Sequence, residues 1–388
     1  MQHRLYAPLL PVAIFLTAGI AAGRFLSVPM PLSLLLPAAS GAAALLLFRW
    51  PRCQTALLWL ATMLLGMHLA AHPLQLPEPA LLHATRQHLL GVRSLLTAHF
   101  RQAGLEGEAY AITSAMALGD KSAMTPDMRS PYDTTGASHV LALSGLHLGI
   151  IYWLVTVITV GRRWRFLSQV VTVLAIWAFT LLTGLAPSTV RSATMLTVLA
   201  LMRIGYRRHA SVNVLAFTAV VMLLITPSAL FDIGFQLSFL SVLSILLFQP
   251  VLEALVPLPF QQRHPLLRTV WAITVVSLSA QLGAAPLIAY YFHRFSPWFL
   301  LANAVVLPEA YLLLLGALLL LLTASPLVAT ALTVVTTTAG RMLAALAQLP
   351  LATVQPLYPT LAQTLLLYVV VACLYVVVTR VTNARWRL

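Results

Sequence analysis

Twelve mostly apolar stretches, each close to the length that crosses a bilayer, divide this sequence almost from end to end. A hydrocarbon core about 30 Å thick needs about 20 apolar residues in helical form. Stretches that answer this description lie at roughly 8–26, 30–48, 54–71, 140–160, 167–183, 188–203, 212–226, 233–250, 269–290, 298–321, 327–346 and 361–380. The chain is 60% hydrophobic and only 8% charged, more apolar surface than a soluble domain can hide. The expected fold is all-α, a polytopic transmembrane helical bundle of about 11–12 spans. Proline and glycine mark the joints, as in "SVPMP", "GLAPS" and "LTASP". The flanks of the stretch near 327–346 carry little charge, so a re-entrant segment is the alternative to a span there.

Charge placement gives orientation. With the N-terminus inside, the inner loops hold Arg4, Arg49, Arg52, "GRRWR", "RIGYRRH", Arg263, Arg268 and "RVTNARWR", which together carry 14 of the 23 Lys and Arg. Arginine-rich loops stay cytoplasmic, so both termini are expected inside. The basic balance is then a property of membrane topology before it is a sign of nucleic acid. Four segments follow: N-terminal transmembrane helices (1–71), an extracytoplasmic helical and amphipathic segment (72–139), a membrane core (140–380) and a basic cytoplasmic tail (381–388). The outer segment holds six of the nine acids. Its residues 78–100 have the apolar stripe of an amphipathic helix lying on the outer surface, and a second helix is expected from Glu106 to Leu118. The first apolar stretch lacks a small-residue cleavage site and is expected to be a retained helix. Cys53 and Cys373 lie in separate apolar segments and are expected to be packing residues.

The stretch "SHVLALSGLHLGI" begins an apolar run with residues that lipid contact does not need. On one helix, Ser144, His139 and His147 share a polar side, with Ser138 at its start. Gly145 and Gly149 form a G-x-x-x-G pair that lets another helix approach. Polar groups at this depth face a bundle interior or a water-filled path. Hydrogen-bonded packing is the plainer reading, and a Ser144–His147 catalytic pair the more demanding one, since no third residue is evident. Nearby residues supply no metal ligand set, and no cofactor is expected. Upstream, "LGDKS" is not a phosphate loop, because Asp120 stands where glycine must precede Lys121.

Further polar helix starts follow. "PSTVRSATM" puts Arg191 one turn inside a helix, and "FDIGFQLSFLSVLS" puts Asp232, Gln236 and Ser238 at another, with Gly234 as a small packing residue. Together with Asp120, Lys121 and His139 they suggest an outer vestibule; outward snorkelling or pairing of Arg191 with Asp232 is the simpler account. Then Ser277, Ser279 and Gln281 lie within one span, and Asn303 and Glu309 within the next. A carboxylate near the middle of a span is costly and points to function. Tyr290, Tyr291, Phe292 and Trp298 form an interfacial belt or a set of stacking platforms.

In order, "LGDKS", "TGASHVLALSGLHLGI", "PSTVRSATM", "DIGFQLSFLSVLSI" and "APLIAYYFHRFSPWFLLANAVVLP" resemble the successive motifs of the ComEC-type competence protein family, over roughly residues 105–345. The resemblance implies an inner-membrane channel that passes single-stranded DNA into the cytoplasm during natural transformation. It also implies a separate cytoplasmic ATPase motor and a periplasmic DNA-binding protein as partners, and it leaves a homo-oligomer open. Members of the family often add an OB-like module and a metallo-β-lactamase-like domain; no H-x-H-x-D-H motif occurs here, so only the channel part is expected. A conduit for a polyanion needs few fixed cations, many neutral donors and sequence-tolerant stacking surfaces, which these residues provide. Two other readings stand beside it: a proton-coupled transporter of a small solute or lipid-linked substrate, using Glu309 and His147, and an intramembrane hydrolase using Ser144 and His147.

Overall fold

A computed structural model of the protein describes residues 7–26, 29–73, 80–159, 165–204 and 211–385. Among these residues the architecture is helical, with no strand and one isolated bridge between Phe295 and Val354. Six helices are long and apolar enough to cross a membrane: α3 (Pro51–Ala71), α12 (Ile233–Glu253), α14 (Pro265–Phe292), α15 (Phe299–Thr323), α16 (Pro326–Ala347) and α17 (Leu361–Arg385). Shorter apolar helices are α1 (Leu9–Gly23), α2 (Met30–Leu46), α8 (Gly145–Ile158), α9 (Arg165–Leu182) and α11 (Ser211–Ile225). With α10 (Pro187–Ile204), every expected span therefore carries a helix. The protein is a multi-pass, all-α membrane bundle. Proline opens α3, α14 and α16, where its missing N–H costs nothing. The arginines at 4, 162, 163, 207, 208 and 387 lie outside the described residues.

Helices divide between two compact units that do not follow the linear segments. The first unites 1–79 with 197–239. In it, α1 and α3 approach through glycine: a β-carbon on Gly19 would run into the Met63 carbonyl, and one on Gly66 into the Leu16 carbonyl. Leu16, Ile20, Leu69, Leu223 and Phe235 form its core, and Asn213 on α11 accepts the Leu9 N–H at 2.9 Å. The first apolar stretch thus packs as a helix of this unit.

The second unit comprises 80–196 and 240–388. Its core joins Phe100 of α4 (Ala80–Gln102) and Ile112 and Met116 of α5 (Gly107–Leu118) to Val306, Leu313 and Leu320 of α15 and Leu332 and Leu343 of α16. The expected outer helix over 106–118 is present, but it is no surface cap. Every residue of α5 from Ala109 to Leu118 is buried. A helix apolar on all faces gains by being surrounded, and this one packs against α15 and α16. The stretch near 327–346 is resolved in favour of an unbroken helix, the 22-residue α16. It leads back to the face where α15 begins: Phe295 and Val354 exchange backbone hydrogen bonds of 3.1 and 2.7 Å, and the Ser296 hydroxyl donates to the Ala352 carbonyl at 2.8 Å. Cys53 and Cys373 are free and sit on helix surfaces, so neither is the packing residue expected of it.

Candidate functional site

The apolar run that begins at Ser138 is not one helix. A four-residue turn, α7 (Ser138–Leu141), ends at Ala142, whose backbone is extended, and α8 starts only at Gly145. The cause is local. Ser144 is an N-cap: its hydroxyl accepts the Leu146 N–H at 3.3 Å, and His147 Nδ1 accepts the Ser144 N–H at 3.3 Å. This is a capping box with histidine in the place usually held by Glu or Gln. The expected single polar face is thereby corrected. His139 lies before the break, exposed, with its Nδ1 3.2 Å from the Gly136 carbonyl. His147 lies after it, at 0% exposure. Ser138, half-buried, opens the short turn.

The break is a meeting point. The Ser188 hydroxyl on α10 donates to the Leu143 carbonyl at 2.7 Å, and a β-carbon on Gly145 would stand 3.1 Å from Ser192 Oγ. Arg191, between these serines, is 6% exposed. Gly119 ends α5 with φ +72° and faces Leu143 and Thr183, where a β-carbon would meet the Leu143 methyl at 2.6 Å. Gly149 behaves otherwise: nothing lies within 4 Å of its β-carbon position, so close packing uses only the first glycine of the G-x-x-x-G pair. Asp120 closes a turn by accepting the Ser122 N–H at 3.0 Å. Lys121 beside it is exposed, and its ammonium titrates below the usual lysine range because the surrounding chain desolvates it and Arg129 lies near.

A second junction joins the outer segment to α15. Tyr132, on α6 (Pro126–Thr134), is fully buried, and its hydroxyl donates to Glu309 Oε1 at 2.9 Å. Glu309 follows Pro308 in mid-helix and is 2% exposed; its Oε2 has no hydrogen-bond partner. Burial, then the nearby carboxylates, keeps the Tyr132 phenol protonated well beyond its ordinary range. Glu108, at the start of α5, reaches towards Gly340 on α16. Gly136, at φ +79°, packs on Ser296. Buried polar atoms without partners recur in this unit: Thr113 and Ser114 hydroxyls on α5, Ser277 and Ser279 on α14, and Asn303 Oδ1 on α15. Gln281 lies half-buried on α14. An unpaired polar atom in an apolar interior costs about 1–3 kcal/mol unless water reaches it.

The remaining expected residues belong to the first unit. Asp232 caps α12 by accepting the Phe235 N–H at 2.7 Å, and Gln236 donates to the Leu230 carbonyl at 2.9 Å. Gly234 and Ser238 lie in the first turns of the same helix. Sequence reasoning missed Tyr132, Ser188 and Ser192. Only the two serines had a visible signal, as hydroxyls flanking Arg191. Among the described residues no group of three or more His, Cys, Asp or Glu is placed to hold a metal ion.

Residues 116–381 match the model of a family described as Competence protein. The chain is 30% identical over 213 residues to ComE operon protein 3 of Bacillus subtilis (strain 168), covering 54% of this chain and 26% of that protein. It is 29% identical over 200 residues to an uncharacterized protein of Aquifex aeolicus (strain VF5), covering 51% of this chain and 44% of that protein. The chain thus spans less than half the length of these curated relatives. No solved structure matches it.

Proposed function

This chain belongs to the competence protein family, and on that premise we propose that it passes single-stranded DNA through the cytoplasmic membrane during natural transformation. The observation that carries the reading is the convergence of the motifs inside the matched region. The glycine of "LGDKS", the break in "LALSGLHL" and the serines of "PSTVRS" meet at one point, and Tyr132 and Gly136 tie "TGASH" to the start and middle of α15. Polar atoms without partners on α5, α14 and α15 suit a path that water enters when DNA passes. The partnerless atoms of Thr113, Ser114, Ser277, Ser279 and Asn303 are neutral hydroxyl and amide, which suits a path that lets a polyanion move instead of holding it at each phosphate. Transport then takes its energy from a separate cytoplasmic ATPase, receives DNA from a periplasmic binding protein, and involves no bond-breaking step by this chain. On this reading, which rests on arginine placement, both termini lie in the cytoplasm.

A clean deletion tests this. DNA should still enter the periplasm and become protected from added nuclease, while labelled single strands no longer reach the cytoplasm and transformants disappear. Loss of periplasmic uptake itself, or undiminished transformation, would reject the reading.

A further inference from the structure

A groove of about 160 Å³, walled only by apolar side chains, runs between α4, α5, α8, α9 and α15 and is partly open to the surroundings. Leu96 and Phe100 face it from α4, Leu118 from α5, Ile151 from α8, Phe179 from α9 and Leu314 from α15. Arg93 lies one turn before Leu96 on α4, on the same side. Its guanidinium stands beside the end of α9: a β-carbon on Gly184 would be 3.9 Å from Arg93 Nη1 and 3.4 Å from Leu90. One end of an apolar slot therefore has a cation at its edge. The helix that supplies both is unusual in charge, with Arg86, Arg93 and Arg101 and no acid in its 23 residues.

Water gains little in such a slot, because nothing there offers a hydrogen bond. A nucleic acid strand could use Arg93 but has no group that prefers a wall of Leu, Ile and Phe. A ligand with a hydrocarbon chain and an anionic head satisfies both parts, and the bilayer around the spanning helices supplies one. We propose that the groove and Arg93 form a binding site for an anionic phospholipid, its acyl chain between α4 and the helices beneath and its phosphate on Arg93. The lipid would bridge α4 to α8, α9 and α15. It does not depend on the DNA-passage reading.

The test uses the full chain, delipidated in nonionic detergent and titrated with phosphatidylglycerol or phosphatidylcholine, with adducts counted by native mass spectrometry and unfolding followed by heating. Phosphatidylglycerol should be retained and should raise the unfolding temperature, and phosphatidylcholine should do neither. Arg93→Gln should weaken phosphatidylglycerol binding about fivefold, the worth of one interfacial cation. Leu154→Trp, which fills the groove from α8, should abolish it while leaving Arg93 in place. Equal binding of the two lipids would overturn the proposal, as would Arg93→Gln binding phosphatidylglycerol like the parent chain. Displacement of the lipid by an oligothymidylate that still binds the Leu154→Trp chain would assign Arg93 to nucleic acid and overturn it as well.

Discussion

Glu309 and Ser144 show how differently two polar residues at membrane depth can be used. Glu309 has one oxygen bound to the Tyr132 hydroxyl and the other without a partner, at 2% exposure. Tyr132→Phe would leave both oxygens bare, and we expect a loss of about 1–3 kcal/mol, read as a lower unfolding temperature. The same variant bears on pH. The Tyr132 phenol is raised above 10.0, mainly by burial and then by Glu309. Beyond pH 10 the unfolded chain gives up this proton while the folded one keeps it, so the stability involved is whole below that pH and falls above it. Tyr132→Phe should therefore flatten the alkaline slope of stability. Glu309→Gln keeps an acceptor for Tyr132 and should transform far better than Glu309→Ala; equal, severe loss at normal protein levels would favour a proton relay. On the channel reading Ser144 needs only to cap. Its hydroxyl meets His147 through Nδ1 at 3.2 Å, within one turn, as part of the capping box. Ser144→Asn should keep transformation within a few-fold, and Ser144→Ala should cost about 1 kcal/mol of stability. An inactive but well-folded Ser144→Asn chain would revive the hydrolase.

Among the elements, those set by apolar length were legible and those set by one local bond were not. All twelve expected spans became helices, because crossing or lining a bilayer requires long runs that nothing else in a sequence resembles. The break before α8 was hidden, since both sides are apolar and the capping partner is His147 rather than Glu or Gln. The burial of α5 was partly visible: "AYAITSAMAL" has no charged residue, but the polar segment around it pointed to the surface. Tyr132 and Glu309 are 177 positions apart and share no pattern, so their pairing could not be read at all. The glycines make the point quantitatively. Gly149 stood in a G-x-x-x-G pair yet has open space around it, while Gly283, in no motif, lies against the Leu240 carbonyl and Ser244. Gly149→Ala should thus be neutral or gain about 0.5–1 kcal/mol as a better helix former. Gly283→Ala must push α14 from α12 and should lose about 1–3 kcal/mol. Thermal unfolding in detergent compares them directly.

For the molecule as a whole, the joints between helices constrain topology more than any one helix does. The 293–298 joint is bound to the 350–357 segment by the Phe295–Val354 pair, by Ser296 and by the Trp298 indole, which donates to the Pro350 carbonyl at 3.1 Å. Gly136, in the segment expected outside, packs on Ser296 of that same joint. These three places must therefore lie on one side of the membrane. The turn between α15 and α16, at Thr323–Pro326, lies a full helix length away from them, about 33–38 Å at 1.5 Å per residue for helices of 22 and 25 residues. That length covers the hydrocarbon core, so the turn belongs to the opposite side. Arginine placement, an independent argument, leads us to expect the first side to be external. Reporter fusions at Thr125 and Thr353 should consequently give the same, extracytoplasmic signal, and fusions at Arg163 and Ser325 the cytoplasmic one. A cytoplasmic signal at Thr353 with an extracytoplasmic one at Thr125 would mean that α16 does not return across the membrane, and the α15–α16 hairpin could not then hold Glu309 in a span beneath the outer segment that supplies Tyr132.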